Sequence, residues 1–181
     1  MNKWEKLITI VITAIAATCL SSCERLSVKK SMKRMMAEAI IMPDSLLEVS
    51  EDSITCCNLN ADNSLIVYID SQQCKSCVFS NLKGYELLYK QSQSSSMFKL
   101  VIIISPARNE KENVIALARS LIGFPVYIDV NNDFMEINKN IPKQKTFHTF
   151  LTGKQGHVIF IGDPLSSNRL MEIFIKTLYN K

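Results

Sequence analysis

The chain is short of several things, and each shortage narrows what it can do. It holds two histidines in 181 residues, His148 and His157. Both fall in strand-like stretches, where each reads as a strand residue rather than a metal ligand. It lacks an apolar run of spanning length. The stretch Leu7 to Leu20 is 14 residues long, short of the ~20 that a bilayer-crossing helix needs. It lacks a strong charge bias: 21 Lys+Arg against 17 Asp+Glu give a net +4, too mild to argue for nucleic acid. It also lacks a second pair of cysteines at ligand spacing. Cys56 and Cys57 are adjacent, which counts against a four-ligand zinc site.

What is present begins at the N-terminus. Lys3 and Lys6, with Glu5 between them, precede the apolar stretch, which ends in Leu20-Ser21-Ser22-Cys23. Basic start, short apolar core and small residues are the layout of an export signal. The last four residues resemble the bacterial lipobox, which implies cleavage before Cys23 and acylation of Cys23. The competing readings are an uncleaved anchor and a plain secretory signal. All three export the rest of the chain. Without residues 1–22 the chain has 159 residues, enough for one domain with a proper core. Lys3, Lys6 and Glu5 leave with the signal, so 19 basic residues then face 16 acidic ones, a net +3. Arg25, Lys29, Lys30, Lys33 and Arg34 cluster just after the lipidated position. Such a run can lie against anionic lipid; a solvated helix face is the preferred reading.

The chemistry is in Cys74-Lys75-Ser76-Cys77, directly after the apolar run Leu65-Ile66-Val67-Tyr68-Ile69. A strand that delivers Cys-x-x-Cys to the start of a helix is the layout of a dithiol redox site. Cysteines three positions apart lie about one helical turn from each other, within disulfide reach. Cys74 would sit where unpaired backbone N–H groups favour a thiolate, with the Lys75 ammonium and the Ser76 hydroxyl adding to that. Cys74 is then the attacking thiol and Cys77 the resolving one. A structural disulfide and half of a zinc site are the competing readings, and Lys75 alternatively serves only solubility. Asp70 is placed for proton transfer or, equally, for capping a turn. Cys56 and Cys57, in a short strand predicted over 54–59, read as small packing residues.

The remaining pattern alternates. Helices are predicted over 27–40, 76–92, 109–121 and 166–179, with a helical turn ending near 137. Strands are predicted over 65–70, 99–105, 125–130, 146–152 and 157–161, and the Ser/Gln-rich stretch 91–96 reads as a surface loop. Gly84 inside the second helix predicts close packing or a bend. The whole divides into a lipoprotein signal (1–22), a lipid anchor with an amphipathic helical linker (23–52) and a folded domain (53–181).

This order, strand, Cys-x-x-Cys, helix, strand, helix, then a terminal hairpin and helix, resembles the thioredoxin-like proteins. Phe124-Pro125-Val126-Tyr127-Ile128-Asp129 before Asn132-Asp133-Phe134 is similar to the redoxin branch, as is Thr149-Phe150-Leu151 followed by Gly153-Lys154-Gln155-Gly156-His157-Val158. The likeness spans roughly residues 60–180 and is nearest to thioredoxin-like bacterial lipoproteins. It implies an α/β three-layer sandwich with a mixed β-sheet and helices on both faces. It also implies a membrane-anchored thiol–disulfide oxidoreductase on the periplasmic side, of inner or outer membrane. The expected partners are exported protein disulfides or dithiols, a membrane redox partner, and the bilayer through acylated Cys23. No cofactor, resident metal or nucleic acid is expected. Phe147 stands where the family carries a cis-proline, so a trans loop is expected, with Phe147 and His148 walling the site. Gln73 replaces the usual Trp before the first cysteine, and Tyr68 the usual buried Asp. The peroxiredoxin Pro-x-x-x-Thr-x-x-Cys pattern is missing around Cys74. Two alternatives are carried: a redoxin-fold copper-delivery protein using Cys74, Cys77 and His148, and an inactive thioredoxin-like binding module.

Overall fold

A computed structural model describes residues 26–71 and 75–180, with the backbone alone at 75–78. The export signal, Cys23 and Cys74 lie outside these residues, as do the side chains of Lys75, Ser76 and Cys77. The elements in chain order are α1 (26–37), β1 (Leu46–Val49), β2 (Ile54–Cys56), β3 (Ser64–Ile69), α2 (Lys75–Leu82), α3 (Glu86–Ser94), β4 (Lys99–Ile104), α4 (Lys111–Leu121), β5 (Val126–Asp129), α5 (Asp133–Ile137), β6 (Thr149–Thr152), β7 (Val158–Ile161) and α6 (Asn168–Tyr179). All seven strands form one sheet, ordered β2-β1-β5-β4-β3-β6-β7.

Strands β3, β4 and β5 are mutually parallel, and β6, β7, β1 and β2 extend the sheet on its two sides by antiparallel pairing. Every residue of β3 is buried, as expected of a central strand covered on both faces. Alternate side chains feed opposite cores. Leu65, Val67 and Ile69 join Phe79, Leu88, Val114, Ala118 and Phe174 from α2, α3, α4 and α6. Ile66 and Tyr68 join Met35, Ile40, Met42, Phe134, Ile141 and Phe147 on the other side. The steps β3→β4→β5 move in one direction, so right-handed crossovers put α2, α3 and α4 on the same face. The return to β6 crosses the other face through α5 and the 138–148 loop. The run β4-β3-β6-β7, with Cys-x-x-Cys immediately after β3, is the expected thioredoxin-like arrangement, and the sheet is mixed with helices on both faces.

The chain departs from the sequence reading in several places. The helix expected over 76–92 is broken by a 3-10 turn at Lys83–Tyr85, which aims Tyr85 into the core. A Cβ at Gly84 would meet only Leu165 Cδ1, at 3.6 Å. Gly84 therefore marks a bend and not a tight contact. The helix then runs on through Ser94 into the expected loop. Hydroxyls of Ser92, Ser94 and Ser95 donate to the carbonyls of Tyr89, Lys90 and Gln91 and satisfy its last turn. Residues 145–147 form a 3-10 turn where a strand was expected.

The first helix ends at residue 37 and not at 40. Beyond it Ala39 bridges His157, and the Ile40 N–H donates to the Gly156 carbonyl at 3.0 Å. The stretch expected as a linker is thus built into the fold: it supplies β1, and Met35, Ile40, Met42 and Leu46 are buried. Strand β2 stops at Cys56, with all three residues exposed. Cys56 is therefore not the packing residue expected; it lies at the outer edge of the sheet, exposed, with no element covering it among the described residues.

Candidate functional site

Strand β3 ends at Ile69, and α2 begins at Lys75. Cys77 therefore occupies the first turn of α2, and Cys74 is the residue immediately before that helix. Between β3 and the described start of α2 only Asp70 and Ser71 are described; Asp70 is half-buried and Ser71 exposed. Around Asp70 and Ser71 stand Arg34 of α1, Ser105 just beyond β4, residues 132–143 after β5, and His148 just before β6.

Tyr68, six positions before Cys74, fills the place expected for a buried acid with a phenol. Its ring stacks on Phe134 with centroids 5.2 Å apart. Burial pushes its hydroxyl pKa up, and its hydrogen bond with the Ser105 hydroxyl draws it back. Ser105 in turn donates to Asp129 Oδ2 at 2.9 Å. Asp129 is fully buried and accepts from the backbone N–H groups of Asp133 and Phe134 at 3.0 and 2.9 Å. That carboxylate satisfies the free donors at the start of α5, so the polar chain Tyr68–Ser105–Asp129 is anchored at its inner end. Ser105 and Asp129 were not singled out from the sequence. The available signal was Asp129 closing a strand, four residues ahead of Asp133 at the start of a helical turn.

His148 is buried just before β6. Its carbonyl accepts from the Tyr68 N–H at 2.8 Å, and its ring meets the Tyr68 ring edge-on at 5.2 Å. Nε2 lies 3.2 Å from the Pro142 carbonyl, an acceptor, so Nε2 carries the proton. Nδ1 is buried with no hydrogen-bond partner among the described residues. Burial lowers the imidazole pKa, with Asp70 opposing that shift, so His148 is neutral at neutral pH. Phe147, expected to wall the site with His148, packs into the core with Ile66, Tyr68 and Phe150. No peptide bond among the described residues is cis, so the approach to β6 is trans as expected. The Phe147 N–H is bonded to the Gln144 carbonyl at 3.0 Å, a bond that proline could not make.

Two hollows open at this edge. A cleft of about 680 Å³ is lined by Tyr68, Asp70, Ser71 and Ser105 on one side and by Arg34, Lys139 and Lys143 on the other. A smaller one, about 170 Å³, lies against His148, Asn81, Tyr85, Lys145 and Asp163. Among the described residues no three His, Cys, Asp or Glu side chains converge on a metal-binding point; the Cys74–Cys77–His148 set lies partly outside them. Of the other cysteines, Cys57 is half-buried, and its Sγ donates to the Leu46 carbonyl at 3.6 Å. Burial and the nearby Glu48 raise its pKa, the reverse of what a nucleophile needs.

The strand order and the Cys-x-x-Cys placement define a thioredoxin-like α/β fold. No protein-family model matches the chain, and no curated protein matches it. Among solved structures it is similar to a solution structure titled an uncharacterized thioredoxin-like protein, from Porphyromonas gingivalis. That similarity has 17% sequence identity and a TM-score of 0.44, covering 75% of this chain and 88% of the other.

Proposed function

We propose that the chain is a lipid-anchored thiol–disulfide oxidoreductase working on the periplasmic side of a membrane, with exported protein disulfides or dithiols as substrates. The observation that carries this reading is the junction itself. A fully buried central strand runs into a helix whose first turn holds Cys77 and whose preceding residue is Cys74. Backbone donors at that helix start, together with Lys75 and Ser76, favour a thiolate at Cys74. The Cys74 thiolate attacks one sulfur of a substrate disulfide; an S–S bond forms, and the substrate's other sulfur leaves as a thiolate. The Cys77 thiolate then attacks Cys74, releasing the second substrate sulfur. Two electrons pass to the substrate, and Cys74–Cys77 is left as a disulfide for a membrane redox partner to reduce. The reverse sequence oxidises substrate dithiols.

The acylated Cys23 tethers the domain, and among the described residues no helix is long and apolar enough to cross a membrane. The test is trapping in cells. Cys77→Ser should accumulate a mixed disulfide through Cys74, because attack proceeds and resolution cannot; Cys74→Ser should accumulate none. A folded, exported Cys77→Ser chain that traps nothing points instead to an inert binding module.

A further inference from the structure

Helix α1 carries more exposed apolar surface than a solvated helix should. Leu26, Val28, Met32 and Met36 are 65%, 44%, 37% and 43% exposed, and Ile41 just beyond is 57% exposed. These make five of the thirteen large exposed hydrophobics among the described residues, all within 26–41, whereas single exposed apolar residues elsewhere need no explanation. Val28, Met32 and Met36 fall at i, i+4 and i+8, one continuous stripe. Lys29 and Lys33 run beside it one position on, and Lys30 and Arg34 complete four cations with no carboxylate in 26–37. The helix is held to the body by one fully buried side chain, Met35, and by the Asn140 amide donating to the Met35 carbonyl at 3.3 Å. Among the described residues the apolar stripe is left unpartnered.

We propose that α1 is a second membrane contact, laying its Val28–Met32–Met36 stripe into the surface of an anionic bilayer with Lys29 and Lys33 at the headgroups. An apolar face edged with lysines is the composition of interfacial helices. The occupant follows from charge and from place. Lys29 and Lys33, which edge the stripe, suit anionic lipid, and residue 26, the first described position of α1, lies three positions after the Cys23 that the proposed anchoring acylates, which makes the second contact intramolecular. The proposal therefore deepens the membrane-anchored reading and rests on it. It also orients the site. Arg34, which lines the 680 Å³ cleft, is two positions beyond Met32, roughly 160° around the helix. Docking through the stripe leaves the cleft turned to water, open to exported proteins.

The test is hydrogen exchange on the acylated mature chain in phosphatidylglycerol and in phosphatidylcholine nanodiscs. Peptides within 26–37 should exchange at least about fivefold slower in the anionic bilayer, the effect expected of even one lysine at such a surface. Peptides of the sheet should be unaffected. Lys29→Glu with Lys33→Glu, or Met32→Ser with Met36→Ser, should remove the difference without changing the melting temperature, since these side chains are exposed. Equal exchange of 26–37 in both bilayers overturns the proposal. The mass of the N-terminal peptide reads acylation separately. A chain found without lipid defeats the anchor alone, and the same exchange measurement with preformed vesicles then decides on α1.

Discussion

Two pairs of cysteines stand at different places around one sheet, Cys56–Cys57 at its edge and Cys74–Cys77 in the sequence that follows its central strand. Cys56 and Cys57 belong to its outermost strand and the residue after it, where Cys56 is exposed. The Cys57 thiol is pushed up by burial and by Glu48. Cys74 and Cys77 straddle a helix start, behind a strand that is buried throughout and paired on both sides. One pair has an edge and an anion beside it; for the other, the proposed chemistry calls on the donors of a helix start and on Lys75. The difference teaches that the cysteine is common and the setting is not.

The largest effect that can break this comparison is loss of turnover. Cys74→Ser should bring insulin reduction to background, whereas Cys56→Ser should leave it unchanged. Equal losses would mean that the edge pair takes part in exchange.

The next effect concerns what stands beside the central pair. Phe147 is buried among Ile66, Tyr68 and Phe150, so Phe147→Ala should cost about 3–5 kcal/mol in urea unfolding. Phe147→Pro removes the ring and also the bond to the Gln144 carbonyl, so it should be no more stable. If the ring also screens the approach to β6, either variant that folds should raise turnover. Unchanged insulin reduction by a folded Phe147 variant makes that side chain a core residue and nothing more.

His148 gives a smaller, pH-dependent effect. Its folded pKa lies below its unfolded value because the ring is buried. The unfolded chain therefore binds the proton first as pH falls. Its contribution to stability is constant above about pH 6.5 and is lost as pH drops from there toward the folded pKa. Urea midpoints measured from pH 7.5 to 5 should fall, and His148→Phe should flatten that part of the curve. A midpoint curve identical in the two proteins would contradict a buried, neutral imidazole.

The smallest effect is one of order. At mildly acidic pH, alkylation of the reduced chain should label Cys74 before Cys77, and both before Cys57. Labelling of Cys57 ahead of Cys74 would reverse the comparison.

Much of this contrast was legible in the sequence, because strong periodicity and special spacing report on the chain's own geometry. The apolar runs at 65–69 and 100–104 read as buried strands and are, and the sequence places Cys-x-x-Cys after the first of them. What stayed hidden depends on partners distant in sequence. The end of α1 is set by Ala39 pairing with His157, and no local signal at residue 38 announces it. Cys56 read as a packing residue because composition cannot say that its strand would be the last in the sheet. The chain Tyr68–Ser105–Asp129 joins three strand ends that only the parallel crossovers bring together. The bend at Gly84 was visible as a choice between packing and bending, and the open space around its missing Cβ decides it.

The central claim, that Cys74 and Cys77 form a working redox pair, is tested most directly by their reduction potential in glutathione buffers. The account predicts reversible exchange with a potential between about −270 and −120 mV. A potential below about −300 mV, the range of inert structural disulfides, would contradict it.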